Sequence, residues 1–297
     1  MASVAESTVA IPPRRKRGPM LHFIGRLFRE KPLGAAGAVV FVLFLFCGAF
    51  ADVLAPYGMN QIAPLNRLKP PSWAFPFGTD NLGRDMLSRC LYGAQLSVII
   101  GFCAAGIATF ISVVLGIVSG YLGGKFDLVL QRFVDAWMSF PDLIILIVVV
   151  SVVGPGMPQI IVTLGLLLGI AGSRIIRGAV VSVRENMYVH AAQSTGASTF
   201  RILWRHILPN VMAPVIVLFT TRVGTVILAE SGLSFLGLGV PPPAPTWGGL
   251  LSGSGRTFML QGPWLALAPG LCLTVVVYAT NMFGDALRDL LDPRMRG

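Results

Sequence analysis

The sequence predicts an all-α integral membrane protein with six transmembrane helices and cytoplasmic N- and C-termini. Composition predicts the class: 54% of the 297 residues are hydrophobic and only 12% charged, with a mean hydropathy of +0.74, whereas soluble domains carry about 25% charged residues. The apolar residues gather in runs long enough to cross ~30 Å of hydrocarbon at ~1.5 Å per residue. Charge placement predicts the orientation. Of the basic residues, 17 fall on the side of the termini, 5 on the opposite side, and Arg222 lies inside a span. By the positive-inside rule the rich side is cytoplasmic. The same bias accounts for the +10 net charge without nucleic acid.

Residues 1–32 read as a cytoplasmic N-terminal tail containing Arg14-Arg15-Lys16-Arg17. The run 33–51 is free of charge, and the first transmembrane helix is placed at 33–55. Ala49-Phe50-Ala51 resembles a signal-peptide cleavage site, but the apolar run exceeds the usual ~7–15 residues and its basic leader is long, so a retained span is expected. Residues 56–91 are turn-rich, with Pro56, Pro64, Pro70, Pro71 and Pro76, and form an extracytoplasmic segment. A five-helix core occupies 92–285, with spans at 92–120, 133–153, 157–176, 211–229 and 263–284. The span at 133–153 must carry Asp135 and Asp142 with it. Residues 286–297 form a cytoplasmic C-terminal tail. Gly116-x-x-x-Gly120 and Gly165-x-x-x-Gly169 allow close helix approach without saying to what.

Between the fourth and fifth spans lies a polar stretch, 184–210. Ala191, Ala192 and Gln193 continue a helical run, and Gly196 supplies permissive backbone where it stops. Ser198 is placed to cap a second helix at 199–207, which Pro209 is expected to close. On that helix Phe200, Leu203, Trp204 and Ile207 form one apolar stripe, and Arg201 and Arg205 share another face. Such a helix fits a groove of another protein or rests on lipid headgroups. The local pattern leaves both open.

No catalytic constellation is evident. In the Gly123-Gly124-Lys125 stretch, Ser119 stands where a phosphate loop needs its first Gly and Phe126 where it needs Ser or Thr, so ATP binding by this chain is not expected. His22, His190 and His206 lie far apart, and Cys47, Cys90, Cys103 and Cys272 show no metal-ligand spacing. The ionisable residues in or beside spans are Asp135, Asp142, Arg222 and Glu230. Asp135 follows Arg132 at a spacing that suits a local ion pair. Arg222 falls about 16 Å into its span at ~1.5 Å per residue, near the midplane, and must face protein or a watery cavity. Thr220, Thr221 and Thr225 around it favour a polar face. It either pairs with a carboxylate or lines a translocation path. Glu230 is placed at the outer end of the same span, within reach of water, in a capping, packing or pathway role.

The segment Y-V-H-A-A-Q-S-T-G-A-S (188–198), followed by R-H-I-L-P-N (205–210), resembles the EAA loop of ABC importer permeases. Four more stretches resemble the C-type permease of the dipeptide/oligopeptide/nickel importer family: F-G-T-D-N-L-G-R-D-M-L-S-R (77–89), G-Y-L-G-G (120–124), S-F-L-G-L-G-V-P-P-P-A-P-T-W-G (234–248) and G-D-A-L-R-D-L-L-D-P-R (284–294). The likeness covers 32–297. It implies the type I importer permease fold in a bacterial inner membrane and a role in ATP-driven import of di- or oligopeptides or a related solute. The chain itself would be non-catalytic and hold no cofactor. ATP and Mg would belong to two cytoplasmic ATP-binding subunits, beside a second homologous permease and an extracytoplasmic solute-binding protein. The loop would be the coupling helix, with His190, Ala191, Ala192, Gly196, Ala197, Ser198, Arg201 and Arg205 as its residues. His190 departs from the family pattern, which usually has Glu there. The alternative is a self-sufficient secondary carrier or channel, for which internal repeats or a ladder of buried ionisable groups would be expected.

Overall fold

The computed structural model describes residues 19–291. Among the described residues the only strand-like pairing is an isolated bridge between Thr79 and Asp85. The Arg14–Arg17 cluster and the last six residues lie outside this range.

Amphipathic α1 (Pro19–Glu30) leads into α2 (Pro32–Ala49), where Pro32 opens the helix at a position that needs no N–H. Helical order therefore reaches into the stretch read as a tail, and Leu27 packs with Ala35, Ala286 and Leu290. The first span ends near Phe50, and a short α3 (Ala51–Leu54) follows it. Next comes α4 (Met86–Leu122), which starts before the expected residue 92 because Asp85 caps it, accepting from Ser88 N at 2.8 Å.

The third span is not one helix. α5 (Gly124–Met138) and α6 (Asp142–Val153) meet at an 80° bend. The sequence expectation of a single span at 133–153 is corrected by Pro141, which disfavours helix at the residue before it and offers no N–H of its own. Then follow α7 (Met157–Arg184), α8 (Met187–Ser194) and α9 (Thr199–Ile202). A π turn at Leu203–Ile207 and a 3-10 turn at Leu208–Val211 carry α9 into α10 (Met212–Phe235). The chain closes with α11 (Trp247–Leu250) and α12 (Trp264–Leu291). Among the described residues five helices are long and apolar enough to cross a membrane, and the count reaches six when the bent α5–α6 pair is taken as one span.

The central pair is α4 on α7. A Cβ on Gly116 would stand 2.7 Å from the Ser173 carbonyl oxygen, and one on Gly165 would stand 2.6 Å from Ile107 Cγ2. The two small-residue pairs thus pack on each other's helices, an approach that any side chain would prevent. Around this pair, α10 lies on α4 and α12, and α12 also lies on α2. Val39, Val42, Phe110 and Val148 remain exposed on the outer faces, as residues solvated by lipid chains do. The bundle has two ends. One carries the turn at 123–124 and the stretch 185–211; the other gathers 55–85, 154–156 and 236–263.

Candidate functional site

At the first end, the stretch 184–210 is bolted to the bundle on one side and open on the other. Arg184 Nη1 donates to the Tyr121 carbonyl at 3.1 Å, and Gln193 Nε2 to the Tyr121 hydroxyl at 3.3 Å. Val189, Ile202 and Ile207 are buried in one cluster with Ile176 and Val180 of α7. Gly196 has φ +76°, the left-handed conformation its place between two helices requires, and no atom stands within 4 Å of where its Cβ would be. Ser198 caps α9, its hydroxyl accepting from Arg201 N at 3.4 Å. His190, Ala191, Gly196, Ser198, Arg201 and Arg205 are exposed, while Ala192 and Ala197 are half-buried.

Two sequence expectations fail here. Pro209 does not close the second helix; the π and 3-10 turns absorb its missing N–H and the helix runs on into α10. The predicted apolar stripe is also split. The π turn shifts the helical phase, so Ile207 is buried and Leu203 half-buried, whereas Phe200 is 76% and Trp204 65% exposed. Two large apolar side chains, with Arg201 and Arg205 beside them, project away from the bundle.

Behind this surface a polar network joins three helices. Arg177 of α7 holds Asp127 of α5, Nε to Oδ1 at 2.6 Å, and the Ser119 hydroxyl of α4 donates to the same carboxylate. Asp135 pairs with Arg132 at 3.4 Å as expected, and also with Arg174 of α7. The Asp127–Arg177 pair joins residues far apart in sequence, so no helical spacing could announce it.

Arg222 is half-buried in α10 and makes no hydrogen bond to the described residues. Its Nη2 lies where a Cβ on Gly172 would be 3.2 Å away, next to Ser112. Asp142, at the start of α6, is not within ion-pair distance of it. Thr220, Thr221 and Thr225 donate to the carbonyls of Ile216, Val217 and Thr221 at 2.9, 3.0 and 3.1 Å, within their own helix. Glu230 corrects the expectation outright: it is 0% exposed instead of reaching water. Ser234 Oγ donates to its Oε1 at 2.6 Å and Ser231 Oγ to its Oε2 at 3.4 Å, both within α10.

The opposite end is closed by the motifs at 77–89 and 234–248. Asp80, fully buried, accepts from Leu82 N, Arg84 N and Arg84 Nε at 2.8, 2.9 and 2.7 Å. Trp264 Nε1 donates to the Thr79 carbonyl at 3.1 Å, and Trp247 Nε1 to the Cys90 carbonyl at 3.0 Å. Among the described residues no group of three His, Cys, Asp or Glu side chains could hold a metal.

A bundle of five long apolar helices and a bent helix pair, with one polar segment held out from one end and a folded cap on the other, is the architecture of a membrane-embedded protein. Residues 112–297 match the family of binding-protein-dependent transport system inner membrane components, and residues 23–71 match the N-terminal transmembrane domain of oligopeptide transport permease C. The chain belongs to this family: it is the permease, the non-catalytic inner-membrane subunit, of an ABC importer. It is 38% identical to the dipeptide transport system permease protein DppC of Alkalihalophilus pseudofirmus, over 90% of this chain and 88% of that one. It is 37% identical to the oligopeptide transport system permease protein OppC of Bacillus subtilis, over 91% and 88%. It is also 37% identical to the glutathione transport system permease protein GsiD of Pectobacterium atrosepticum, over 94% and 93%. A permease of this kind works with a binding protein and an ATPase.

Proposed function

We propose that this permease imports di- or oligopeptides or a closely related solute, and that the stretch 184–210 is its coupling helix. The single observation that carries the coupling role is the outward projection of Phe200 and Trp204 from a segment that Val189, Ile202 and Ile207 anchor in the bundle. Exposed aromatics beside arginines are the side chains that dominate protein interfaces. The partner is one of two cytoplasmic ATP-binding subunits, which hold ATP and Mg, and the second permease is a homologue of this chain. His190, Ala191, Ala192, Gly196, Ala197, Ser198, Arg201 and Arg205 shape that contact. The peptide class is supported by the names of the three relatives, which read dipeptide, oligopeptide and glutathione. Charge bias supports cytoplasmic termini, with 56–91 facing the binding protein. ATP-driven closure of the ATPases then moves the coupling helix and switches the spans between inward- and outward-open states. Arg222 sits beside that path, and Glu230 lies buried at its outer end.

The test is co-purification. The double variant Phe200→Ala, Trp204→Ala is expected to insert normally, to lose most of its bound ATPase subunits, and to lose dipeptide uptake in reconstituted complexes. Wild-type recovery of the ATPases from this variant would remove the coupling assignment.

A further inference from the structure

The amphipathic helix α1 uses only part of its apolar surface inside the bundle. Leu27 is 5% exposed and Phe23 half-buried, four residues apart on the stripe that packs into the cluster of Ala35, Ala286 and Leu290. Ile24 and Phe28, each one position further on, form a second stripe about 100° round the helix. They are 44% and 54% exposed. Beyond that stripe comes the exposed Arg29. Arg26 lies opposite Phe28 and is held by Glu30, Nε to Oε1 and Nη2 to Oε2 at 2.9 Å each. The helix stops at Lys31, whose φ of −136° leaves the helical region and lets α2 start afresh at Pro32. Lys31 Nζ donates to Asp289 Oδ2 at 2.5 Å, in the last turn of α12. α1 is therefore fastened where two membrane-crossing helices end. It also belongs to a strongly basic stretch, since residues 1–31 hold seven basic and two acidic side chains.

We propose that α1 lies in the plane of the membrane surface as an anchor for anionic phospholipid. Ile24 and Phe28 enter the boundary between headgroups and acyl chains, and Arg29 meets the lipid phosphates. The basic run Arg14–Arg17, ahead of α1 in the sequence, adds to the attraction. Which leaflet this is rests on the orientation proposed above; the lipid contact does not. Two features choose lipid over a docked protein. One is continuity. α2 follows α1 at once and leaves Leu33, Val39 and Val42 exposed along a membrane-crossing helix, so the open stripe of α1 adjoins a surface that lipid covers. The other is charge. A helix with an apolar stripe and arginines on its polar side, next to clustered Lys and Arg, has the composition that settles on an anionic bilayer. Lipid cover removes Ile24 and Phe28 from water, and a guanidinium beside a phosphate forms strong charge-assisted hydrogen bonds.

The experiment uses the complex with its partner subunits, free of native cysteines, in nanodiscs made from an equal mixture of phosphatidylcholine and phosphatidylglycerol. A bimane label is attached at Phe28→Cys or at Arg26→Cys, and its quenching is read with a lipid spin-labelled near the headgroup and with aqueous iodide. The lipid label is expected to quench Phe28→Cys about fivefold more than Arg26→Cys, and iodide to give the reverse order, because the two positions lie on opposite sides of the helix. Should Phe28→Cys fail to assemble, Ile24→Cys on the same stripe decides in its place. Phosphatidylglycerol retained by the detergent-extracted complex should be enriched about twofold over its share of the nanodisc. Arg14→Gln, Arg15→Gln, Lys16→Gln, Arg17→Gln and Arg29→Gln together should abolish that enrichment. Equal iodide quenching at both labelled positions would put α1 in water and overturn the anchor. Protection of Phe28→Cys from both quenchers would also overturn it and give the face to a protein partner. Lipid quenching without phosphatidylglycerol enrichment would overturn the anionic selectivity. Lipid quenching and enrichment in a complex that takes up no dipeptide would keep the anchor and discard the peptide reading.

Discussion

The two ends of the bundle handle their polar and apolar groups in opposite ways. At the capped end, Thr79, Asp80, Trp247 and Trp264 all find partners within the chain, and even the buried Asp80 is satisfied by backbone and Arg84. At the end that carries 184–210, the backbone is anchored through Tyr121, yet Phe200 and Trp204 face outward with no described residue covering them. The difference separates an end whose aromatic and charged groups are partnered within the chain from one that leaves two aromatics uncovered. Arg89 and Asp85 are exceptions at the capped end, since each keeps a buried polar atom without a hydrogen bond.

The comparison would break most completely if the ends faced the wrong compartments. In a background without the four native cysteines, a cysteine at exposed Ser72 should react fully with an impermeant maleimide in intact cells, and one at exposed Ser198 should not react. The reverse labelling would overturn the orientation and the coupling role with it.

Next in size is Gly196→Asp. No atom of the described residues stands within 4 Å of the new Cβ, so the change costs roughly the 1–2 kcal/mol of a left-handed non-glycine residue, which Asp tolerates better than most. Insertion should persist while uptake is abolished, and ATPase activity should detach from transport. Uptake at the wild-type level would show that no partner closes over this bend.

The capped end should respond through stability instead. Asp80→Ala removes the only carboxylate bonded to Arg84 and leaves a buried cation without its counter-charge, a change that costs about 3–5 kcal/mol. A melting temperature in detergent close to wild type would show that the knot at 77–89 is not what holds this end together.

What could be read from sequence divides along similar lines. The spans, the bend at Gly196 and the cap at Ser198 were legible because each rests on local rules of hydropathy, backbone freedom and side-chain capping. The π turn at Leu203–Ile207 was not, because periodicity assumes a constant helical phase, and one wide turn sent Trp204 and Ile207 to different faces. Pro209 misled for a related reason: a proline ends a regular α-helix, but not one already loosened into π and 3-10 turns. The pairing of Asp127 with Arg177 and the burial of Glu230 depend on contacts between helices or with a distant turn, which no local pattern encodes. The glycine pairs announced close packing, and only the fold showed that each serves the other's helix.

The smallest expected effect belongs to Arg222, which lies between the two ends and shares features of both. It is half-buried near the middle of α10, fitted against Gly172 where a side chain would crowd it, and without a hydrogen bond to the described residues. Asp142, at the break between α5 and α6, is the carboxylate to test against it. A purely structural pair and a path-lining cation differ in what their loss does. Arg222→Gln removes the charge and keeps polar reach. If the cation serves the path, the complex should assemble normally and uptake of an anionic dipeptide should fall about tenfold, equivalent to ~1.4 kcal/mol, with a smaller fall for a cationic one. Asp142→Asn should then leave that preference between anionic and cationic peptides in place. If instead both variants reduce the amount of complex in the membrane to the same degree and the double variant is no worse than either, the two side chains act as one structural pair. Arg222 would then belong with Asp80 and Glu230, among the charges that this chain satisfies for itself.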